Sequence, residues 1–556
     1  MTKYILTADI GTTALKAALY GLDGKLAASC TREYLFETPA LGQAEMAAEV
    51  YTETFAAAVN EVVAGRGILP EEIGVIGFST QGETMLLLDE ENRPLRRAVL
   101  WCDSRASAEA GEIVRHFGAD EIRERTGQVG EDAIWPGAKL LWIRKNEPEI
   151  FGKIRRIVQL EGWFSLLLTG RAFGEDSILG SSVYYDIRER KYWPEMLDYL
   201  EITEDQLPEI ALPGEIVGRM TESAAARFGL AAGTQVSIGG IDLGCGAVGV
   251  GNIRPGNFSD VTGSSLCTMA LTEEVILDPK GQMPCYCSAV PGLYMIHAYA
   301  SGGISLRWFR DVFFGETLTG ILSKELLKNS STDNFPINKE IDKEINKETS
   351  SAPAGLRNSC SDGAGEEPGS ASEMPAGFNP YDYMDLLAAD CPPGAEGLMA
   401  LPHLIGSGPP DLCPEMKGTL IGLSAAHGQK HIVRAFMEGV TMNLCRILEA
   451  TQELGLAADR IVCLGGGAKS PVWCQIKADA TGKPVVTTDG YENAGCMGAA
   501  MLAGTSAGLF PDLEEAAGRF VREDRQYLPD EKNAEVYRAM YLRYQTLMQV
   551  LMPMFQ

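Results

Sequence analysis

Two stretches of the chain share one arrangement, and that repetition limits the folds open to it. In the first, an apolar run, Tyr4-Ile5-Leu6-Thr7-Ala8, ends in Asp9-Ile10-Gly11-Thr12-Thr13-Ala14-Leu15-Lys16. A second run, Ala17-Ala18-Leu19-Tyr20, follows, with a turn at Asp23-Gly24. In the second stretch, Asn257-Phe258-Ser259 leads into Asp260-Val261-Thr262-Gly263-Ser264-Ser265 and then Leu266-Cys267-Thr268-Met269. Each reads as a strand, a tight turn and a returning strand. A glycine in such a turn lets backbone N–H groups approach a ligand closely. Hydroxyls and a lysine beside those groups suit phosphate oxygens, and an aspartate closing the strand, Asp9, suits a hydrated Mg²⁺. For either copy alone, a polar hairpin turn without a ligand is the plain alternative. Two copies in one chain predict two related domains facing each other across a nucleotide.

The chain has 556 residues, enough for two or more domains. Its formal net charge of −27 argues against a nucleic-acid or anionic-membrane partner. It does not argue against a nucleotide, which needs only a few local groups. The amino terminus enters a strand directly, without a signal-peptide pattern, and no apolar run is long enough to span a bilayer. A cytoplasmic location is the expectation. The 13 cysteines are scattered singly, without a Cys-x-x-Cys pair, and predict buried thiols in a reducing compartment. His427 and His431 lie four apart, but no carboxylate or cysteine between them is at ligand spacing. They are expected at the start of a surface helix rather than on a metal.

Along the chain, residues 1–40 read as a strand meander and Ala44 to Ala64 as a helix. Ile73-Gly74-Val75-Ile76-Gly77-Phe78-Ser79 is a buried strand that leads into Gln81-Gly82-Glu83-Thr84. Trp101-Cys102-Asp103-Ser104-Arg105 precedes a helix near Ala106, and Gly137 to Gly170 has helical spacing interrupted at Pro148. A strand at Gln235-Val236-Ser237-Ile238 enters Gly239-Gly240-Ile241-Asp242 and a glycine-rich tail ending at Gly251. Later, a strand at Arg460-Ile461-Val462-Cys463-Leu464 passes through Gly465-Gly466-Gly467-Ala468-Lys469-Ser470 into a helix with Pro471 in its first turn. Such a strand-to-helix turn lets a flat base or a phosphate lie against backbone. The expected organisation is a first domain over 1–251, a second over 252–525 and a helical tail over 526–556. Residues 323–377 are polar and are expected to form a mobile insertion.

Taken in order, these stretches resemble the FGGY family of carbohydrate kinases, within the actin, heat-shock-protein-70 and hexokinase superfamily. Arg434-Ala435-Phe436-Met437-Glu438-Gly439-Val440 also looks like that family's RAxxEGV helix. The resemblance implies an α/β fold of two ribonuclease-H-like domains with an interdomain cleft. It implies ATP and Mg²⁺, a small-molecule sugar as partner, and transfer of a phosphoryl group to a sugar hydroxyl; a homodimer is left open. Carried over by position, Asp242 is the catalytic base, with an N-capping role as the alternative. Gly11, Thr12, Thr13 and Lys16 correspond to the first phosphate loop, and Thr262 and Gly263 to the second. Gly303, Gly467 and Ala468 correspond to nucleotide contacts. Arg307 and Pro471 stand where glycerol kinases carry polar nucleotide contacts. Asp9 corresponds to the Mg²⁺ group.

Gln81, Glu83, Trp101 and Asp103, with Asp242, are the expected sugar contacts. Xylulokinases typically show Gln-Met-His-Gly at positions 81–84 and glycerol kinases Gln-Arg-Glu-Thr, so Gln81-Gly82-Glu83-Thr84 is a hybrid. Loss of the arginine removes a fork of donors that would clamp a small polyol and leaves more room. A pentulose such as xylulose is the favoured substrate, with glycerol, ribulose or gluconate as alternatives. Glu83 could instead pair with Arg105. Two other readings compete. Gly244-Cys245-Gly246-Ala247-Val248-Gly249 fits a dinucleotide-binding pattern, but Pro255-Gly256 cuts the next segment too short for a crossover helix. A nucleotide-gated binding protein without kinase activity would need a further domain after Ala500, for which too little chain follows.

Overall fold

The computed structural model describes residues 2–313 and 379–555. The 323–377 insertion expected from the sequence lies outside the described residues. The fold is α/β and is organised on two sheets of seven strands each. In the first, β1 (Tyr4–Ile10), β2 (Ala14–Gly21) and β3 (Leu26–Glu33) form an antiparallel meander, and Ile73–Thr80 lies parallel to β1. Gln235–Ser237 and Ile216–Arg219 extend the sheet beyond Ile73–Thr80, and Gly240–Ile241 runs parallel to its last residues.

The second sheet repeats this plan. Asn257–Thr262 is antiparallel to Ser265–Thr272 and parallel to Arg460–Leu464, as β1 is to β2 and to Ile73–Thr80. Tyr294–Ser301 takes the place of β3, and Val485–Thr488 continues the parallel side. Thus Asp9 and Thr262 come to the same end of equivalent strands. In open α/β sheets the carboxyl ends of the parallel strands are where ligands are received.

The helix Asp242–Gly249 packs against the late helix Ala494–Ser506, and glycines set their separation. A Cβ on Gly249 would lie 2.1 Å from the Ala494 carbonyl oxygen, and one on Gly498 would lie 1.9 Å from that of Cys245. Of the glycines that imitate a dinucleotide motif, Gly249 makes this helix–helix contact, whereas a Cβ on Gly244 would lie 2.7 Å from Ala289 Cβ. The late helix also crosses onto the first sheet, where a Cβ on Gly77 would lie 2.8 Å from the Ala499 carbonyl oxygen. It joins the two halves of the chain. Gly498→Ala should push these helices apart and cost about 1–3 kcal/mol, the usual scale of overpacking. Urea unfolding measures this, and an unchanged midpoint would show that the helices can separate freely.

The RAxxEGV stretch lies in the helix Gln429–Glu453. Arg434 Nε donates to Glu438 Oε1 at 2.8 Å, and its Nη2 donates to the Tyr537 hydroxyl at 2.8 Å. Tyr537 donates in turn to Glu438 at 2.9 Å. This buried network fastens the terminal helix Glu531–Phe555, which explains the motif by packing. His431 is buried in the same helix, and its Nδ1 accepts from the Gly428 N–H at 2.9 Å. The helix is largely buried rather than a surface one, so that expectation is corrected for His431.

A second correction concerns the helical spacing expected over Gly137 to Gly170. Helices do cover Pro136–Asn146 and Leu160–Thr169, but Arg156–Gln159 is a strand paired with Met85–Leu88. Its short apolar run carries no periodicity that separates strand from helix. All cysteines among the described residues are free, and most are buried. No helix among the described residues is long and apolar enough to cross a membrane.

Candidate active site

The residues expected to contact the sugar, and for that expectation termed the acceptor wall, come from three chain segments. Gln81 and Glu83 follow the buried strand Ile73–Thr80, Trp101 projects from the next loop, and Asp242 begins its helix. Gln81 is 1% exposed, and its Nε2 donates to the Gly11 carbonyl at 3.2 Å and to the Tyr51 hydroxyl at 3.1 Å. Its Oε1 is buried without a protein partner. Gln81 thus holds the first phosphate turn and keeps one acceptor unspent. Trp101 is 39% exposed, and its Nε1 donates to Thr12 Oγ1 at 2.8 Å. The indole is pinned at one edge and remains partly exposed.

Behind this wall stands Lys139, fully buried on the helix Pro136–Asn146. Its Nζ donates to the carbonyl oxygens of Glu83, Leu100 and Trp101 at 3.2, 2.8 and 3.3 Å. One ammonium therefore ties the Glu83 turn to the Trp101 loop, which matters because Glu83 has a φ of 54°. A non-glycine residue in that left-handed region needs surrounding contacts to hold it there. Burial pulls Lys139 down to about 8, against the pull of the Glu83 and Asp103 charges. Burial pushes Glu83 upward, and Ser181 and Lys139 partly offset it.

Asp242 is half-buried, and one carboxylate oxygen accepts from the Leu243 N–H at 2.7 Å. Burial, with the neighbouring Asp9 charge, pushes its pKa up to about 7, and Glu83 adds to the shift. Asp9 accepts a hydrogen bond from Ser79 Oγ at 2.6 Å and is itself pushed upward by burial. The Asp9 carboxylate also rests against Gly495, where a Cβ would lie 2.6 Å from Oδ2. Asp9 faces Lys16 across the hairpin register, and Lys16 Nζ bonds the Glu492 carbonyl. Asp9, Glu83 and Asp242 thus share one acidic centre, between the residues expected to face the sugar and those expected to face the phosphates.

On the other side of the cleft is a cavity of about 420 Å³. Thr262, Gly263, Gly303, Arg307 and Gly467 line it, which brings five of the expected nucleotide contacts together. A Cβ on Gly303 would lie 2.5 Å from the Gly263 carbonyl oxygen, and one on Gly467 would lie 2.7 Å from Thr262 Cβ. These two glycines let the turns close on each other. Ser470 caps the helix Pro471–Thr481 by accepting from the Trp473 N–H at 3.0 Å, and its hydroxyl donates to Asp385 at 2.6 Å. Ser470, Asp385 and Trp473 line the same cavity and were not anticipated. Ser470 was legible as an N-cap before Pro471; Asp385 is brought in from a distant segment.

Several expected contacts are placed differently. Asp103 is fully buried, and its oxygens accept from the Ala44 N–H at 2.6 Å and from the Arg105 N–H and Nε at 3.0 and 2.9 Å. It has nothing left to offer a sugar and instead anchors its loop. Arg105 pairs with Asp103 and Glu45 at 2.8 and 2.7 Å, so the alternative pairing with Glu83 is not formed. The space beside Gly82 is occupied by Ile241, whose Cδ1 would lie 2.9 Å from an added Cβ, so it is not simply vacated room. Thr262 lines the cavity, but its hydroxyl donates to Asp260 at 2.6 Å and accepts from Lys477 at 2.8 Å. It cannot donate to a phosphate. Ala468 and Pro471 are not among the residues lining the cavity.

Comparison with known proteins agrees with this architecture. Residues 4–249 match the N-terminal domain of the FGGY family of carbohydrate kinases, and residues 260–507 match its C-terminal domain. A xylulose kinase of Bacillus subtilis is 27% identical over 551 residues, covering 98% of this chain and 96% of the relative. A gluconokinase of the same organism is 26% identical, covering 97% of this chain and 94% of the relative. The crystal structure of a ligand-bound xylulose kinase from Lactobacillus acidophilus superposes with a TM-score of 0.82 at 23% identity. It covers 99% of this chain and 98% of that one, a likeness that bears on the fold.

Proposed function

The chain belongs to the FGGY family of carbohydrate kinases, and we propose that it phosphorylates a pentulose such as D-xylulose at the expense of ATP. The kinase activity comes with the family. The observation that carries the assignment of roles is Asp242, half-buried at the head of its helix with its pKa pushed up to about 7. A carboxylate poised near neutrality can take the proton of an attacking hydroxyl, and general bases of this kind typically contribute 10²–10⁴-fold. Gln81 and Glu83 would hold neighbouring hydroxyls, and the Trp101 face would cover the carbon chain. The turns at Gly11 and Gly263, with Lys16, would position the phosphates. Positioning and charge neutralisation account for most of phosphoryl-transfer catalysis.

Asp9 suits Mg²⁺. It is a single carboxylate beside the first phosphate turn, and Mg²⁺ is commonly held by one or two carboxylates, substrate phosphates and water. When bound there, the ion would neutralise phosphate charge. Among the described residues no cluster of three or more His, Cys, Asp or Glu side chains could hold a metal ion.

The pentulose reading rests on the Gln81-Gly82-Glu83-Thr84 turn, which lacks a guanidinium for a small polyol, and on full-length similarity to a xylulose kinase. A coupled ADP-release screen over pentuloses, hexuloses, polyols and aldonic acids tests it. Highest kcat/KM on a pentulose supports it, and glycerol as the best acceptor overturns it. Glu83→Gln, which roughly keeps shape, should weaken sugar binding by about 1.5–3 kcal/mol, the scale of a charged hydrogen bond. ATP affinity should be unaffected. A drop in thermal stability without a change in sugar KM would remove Glu83 from the acceptor site.

A further inference from the structure

A second cavity, of about 460 Å³, opens between the two halves of the chain. The loop 128–132 forms its first-half wall, and Tyr286, Tyr299 and the turn at Gly408 form its second. Ser265 connects it to the phosphate turn, because it follows directly on Gly263 and Ser264, which line the nucleotide cavity. Its other end reaches the acceptor wall. Gln128 on its wall bonds the Gly180 carbonyl, and the Oγ of the next residue, Ser181, lies 4.0 Å from a Cβ placed on Gly82, in the turn that carries Glu83. The space therefore continues the acceptor site away from the base.

The walls are firmly built. Gln128 is 3% exposed, and its Nε2 donates to the Gly180 carbonyl at 2.9 Å. Its Oε1 accepts from the Tyr286 hydroxyl at 3.2 Å and from Trp135 Nε1 at 3.3 Å. Across the cavity, Ser301 Oγ donates to the Gly406 carbonyl at 3.0 Å. A Cβ on Gly408 would lie 2.4 Å from the Tyr299 carbonyl oxygen, so the turn sits tightly on that strand. Among the described residues no lysine or arginine lines the space, whereas Glu131 and Asp132 do. The nearby Lys139 spends its N–H groups on three backbone carbonyls.

We propose that this cavity receives the far end of the acceptor, and that it admits an uncharged polyhydroxylated chain and rejects a carboxylate-ended one. This rests on the kinase reading above and deepens it to a substrate class. Aromatic faces with a few fixed polar groups are the usual make-up of a small-molecule site. A carboxylate there would meet Glu131 and Asp132 without a lining cation, and like charges in a partly desolvated site repel strongly. Full-length similarity to both a xylulose kinase and a gluconokinase does not separate these two acceptor classes; the charge of this cavity does.

The test is ADP release on five- and six-carbon ketoses against aldonates of equal length. The wild-type enzyme should favour the ketoses by at least about 10²-fold in kcat/KM, the scale of a like-charge contact. Asp132→Asn should narrow that ratio by about tenfold or more, chiefly by improving the aldonates. Ile405 lies on the rim and is 58% exposed, so Ile405→Trp enlarges it without disturbing the core. It should lower kcat/KM for six-carbon ketoses more than for glycerol. Aldonates turned over as well as ketoses by the wild type, or an equal loss on long and short acceptors in Ile405→Trp with normal ATP affinity, would overturn the subsite. ADP release with no acceptor at all in the panel would overturn the kinase reading as well, and is distinguishable from the first two results.

Discussion

Asp242→Asn is expected to fold and bind ATP normally, yet to lose at least about 10²-fold in sugar-dependent turnover, the lower end for a removed general base. The substitution leaves an acceptor for the Leu243 N–H, which the carboxylate now bonds at 2.7 Å, so the helix start is preserved. What it removes is the proton acceptor. Burial and the charges of Asp9 and Glu83 hold Asp242 at about 7. The base must be ionised to work, so wild-type kcat/KM should fall as pH drops through about 7, and the mutant should lack that limb. Stability moves the other way. The folded pKa lies above the ordinary value of 3.8, so the folded state takes up a proton that the unfolded chain releases. Keeping Asp242 charged above that range therefore disfavours folding, and the asparagine variant should be at least as stable at pH 8. Near-normal turnover in a folded Asp242→Asn protein would end the assignment. A variant inactive only because it unfolds would point to capping instead.

Lys477→Met should destabilise the protein by about 3–5 kcal/mol, the cost of leaving one partner of a buried ion pair alone. Lys477 and Asp260 are both fully buried, with Nζ 2.5 Å from Oδ2. Burial opposes the lysine charge, but Asp260 more than offsets it and its pKa is raised overall. Asp260 also accepts from Thr262 Oγ1 at 2.6 Å and from Cys463 Sγ at 3.2 Å. Removing the lysine leaves that carboxylate uncompensated beneath the nucleotide turn, so the ATP KM should rise along with the loss of stability. Urea unfolding of Lys477→Met, Asp260→Asn and the double variant resolves the pair, and the double variant should recover part of the loss. A loss below about 1 kcal/mol would mean that water reaches the site, as it does for surface pairs.

The first and second halves began from the same turn but use its aspartate differently. Asp9 is half-buried at the cleft, beside Gly495 and Ser79. Asp260, at the corresponding place, is sealed and neutralised by Lys477. Nothing in the local sequence separates the two, because the lysine comes from a helix more than two hundred residues further on. Lys139 is a related case. A lysine within the apolar run Ala138-Lys139-Leu140-Leu141 is visible in the sequence, but which carbonyls it joins is not.

The sequence by itself determined the duplicated strand–turn–strand plan, the α/β class, the family and the positions of the tight turns. Those follow from local chemistry: apolar runs of strand length, and glycines and hydroxyls at fixed places. The Gly263 and Gly467 turns were legible for that reason, whereas Asp242, Glu83 and Gln81 were singled out by position through the family resemblance. Only the tertiary structure decided what each side chain is free to do. Asp103 has the same local setting as a ligand-facing aspartate, yet the Ala44 N–H and Arg105 consume its oxygens. Thr262 loses its donor to Asp260, and Gly249, the last glycine of the pattern after Asp242, serves the contact with Ala494–Ser506 rather than a dinucleotide. A hydrogen bond is spent by whatever lies within about 3 Å, and although Arg105 and Asp260 are near in sequence to the groups they occupy, the burial that brings Ala44 onto Asp103 and Lys477 onto Thr262 comes from distant parts of the chain.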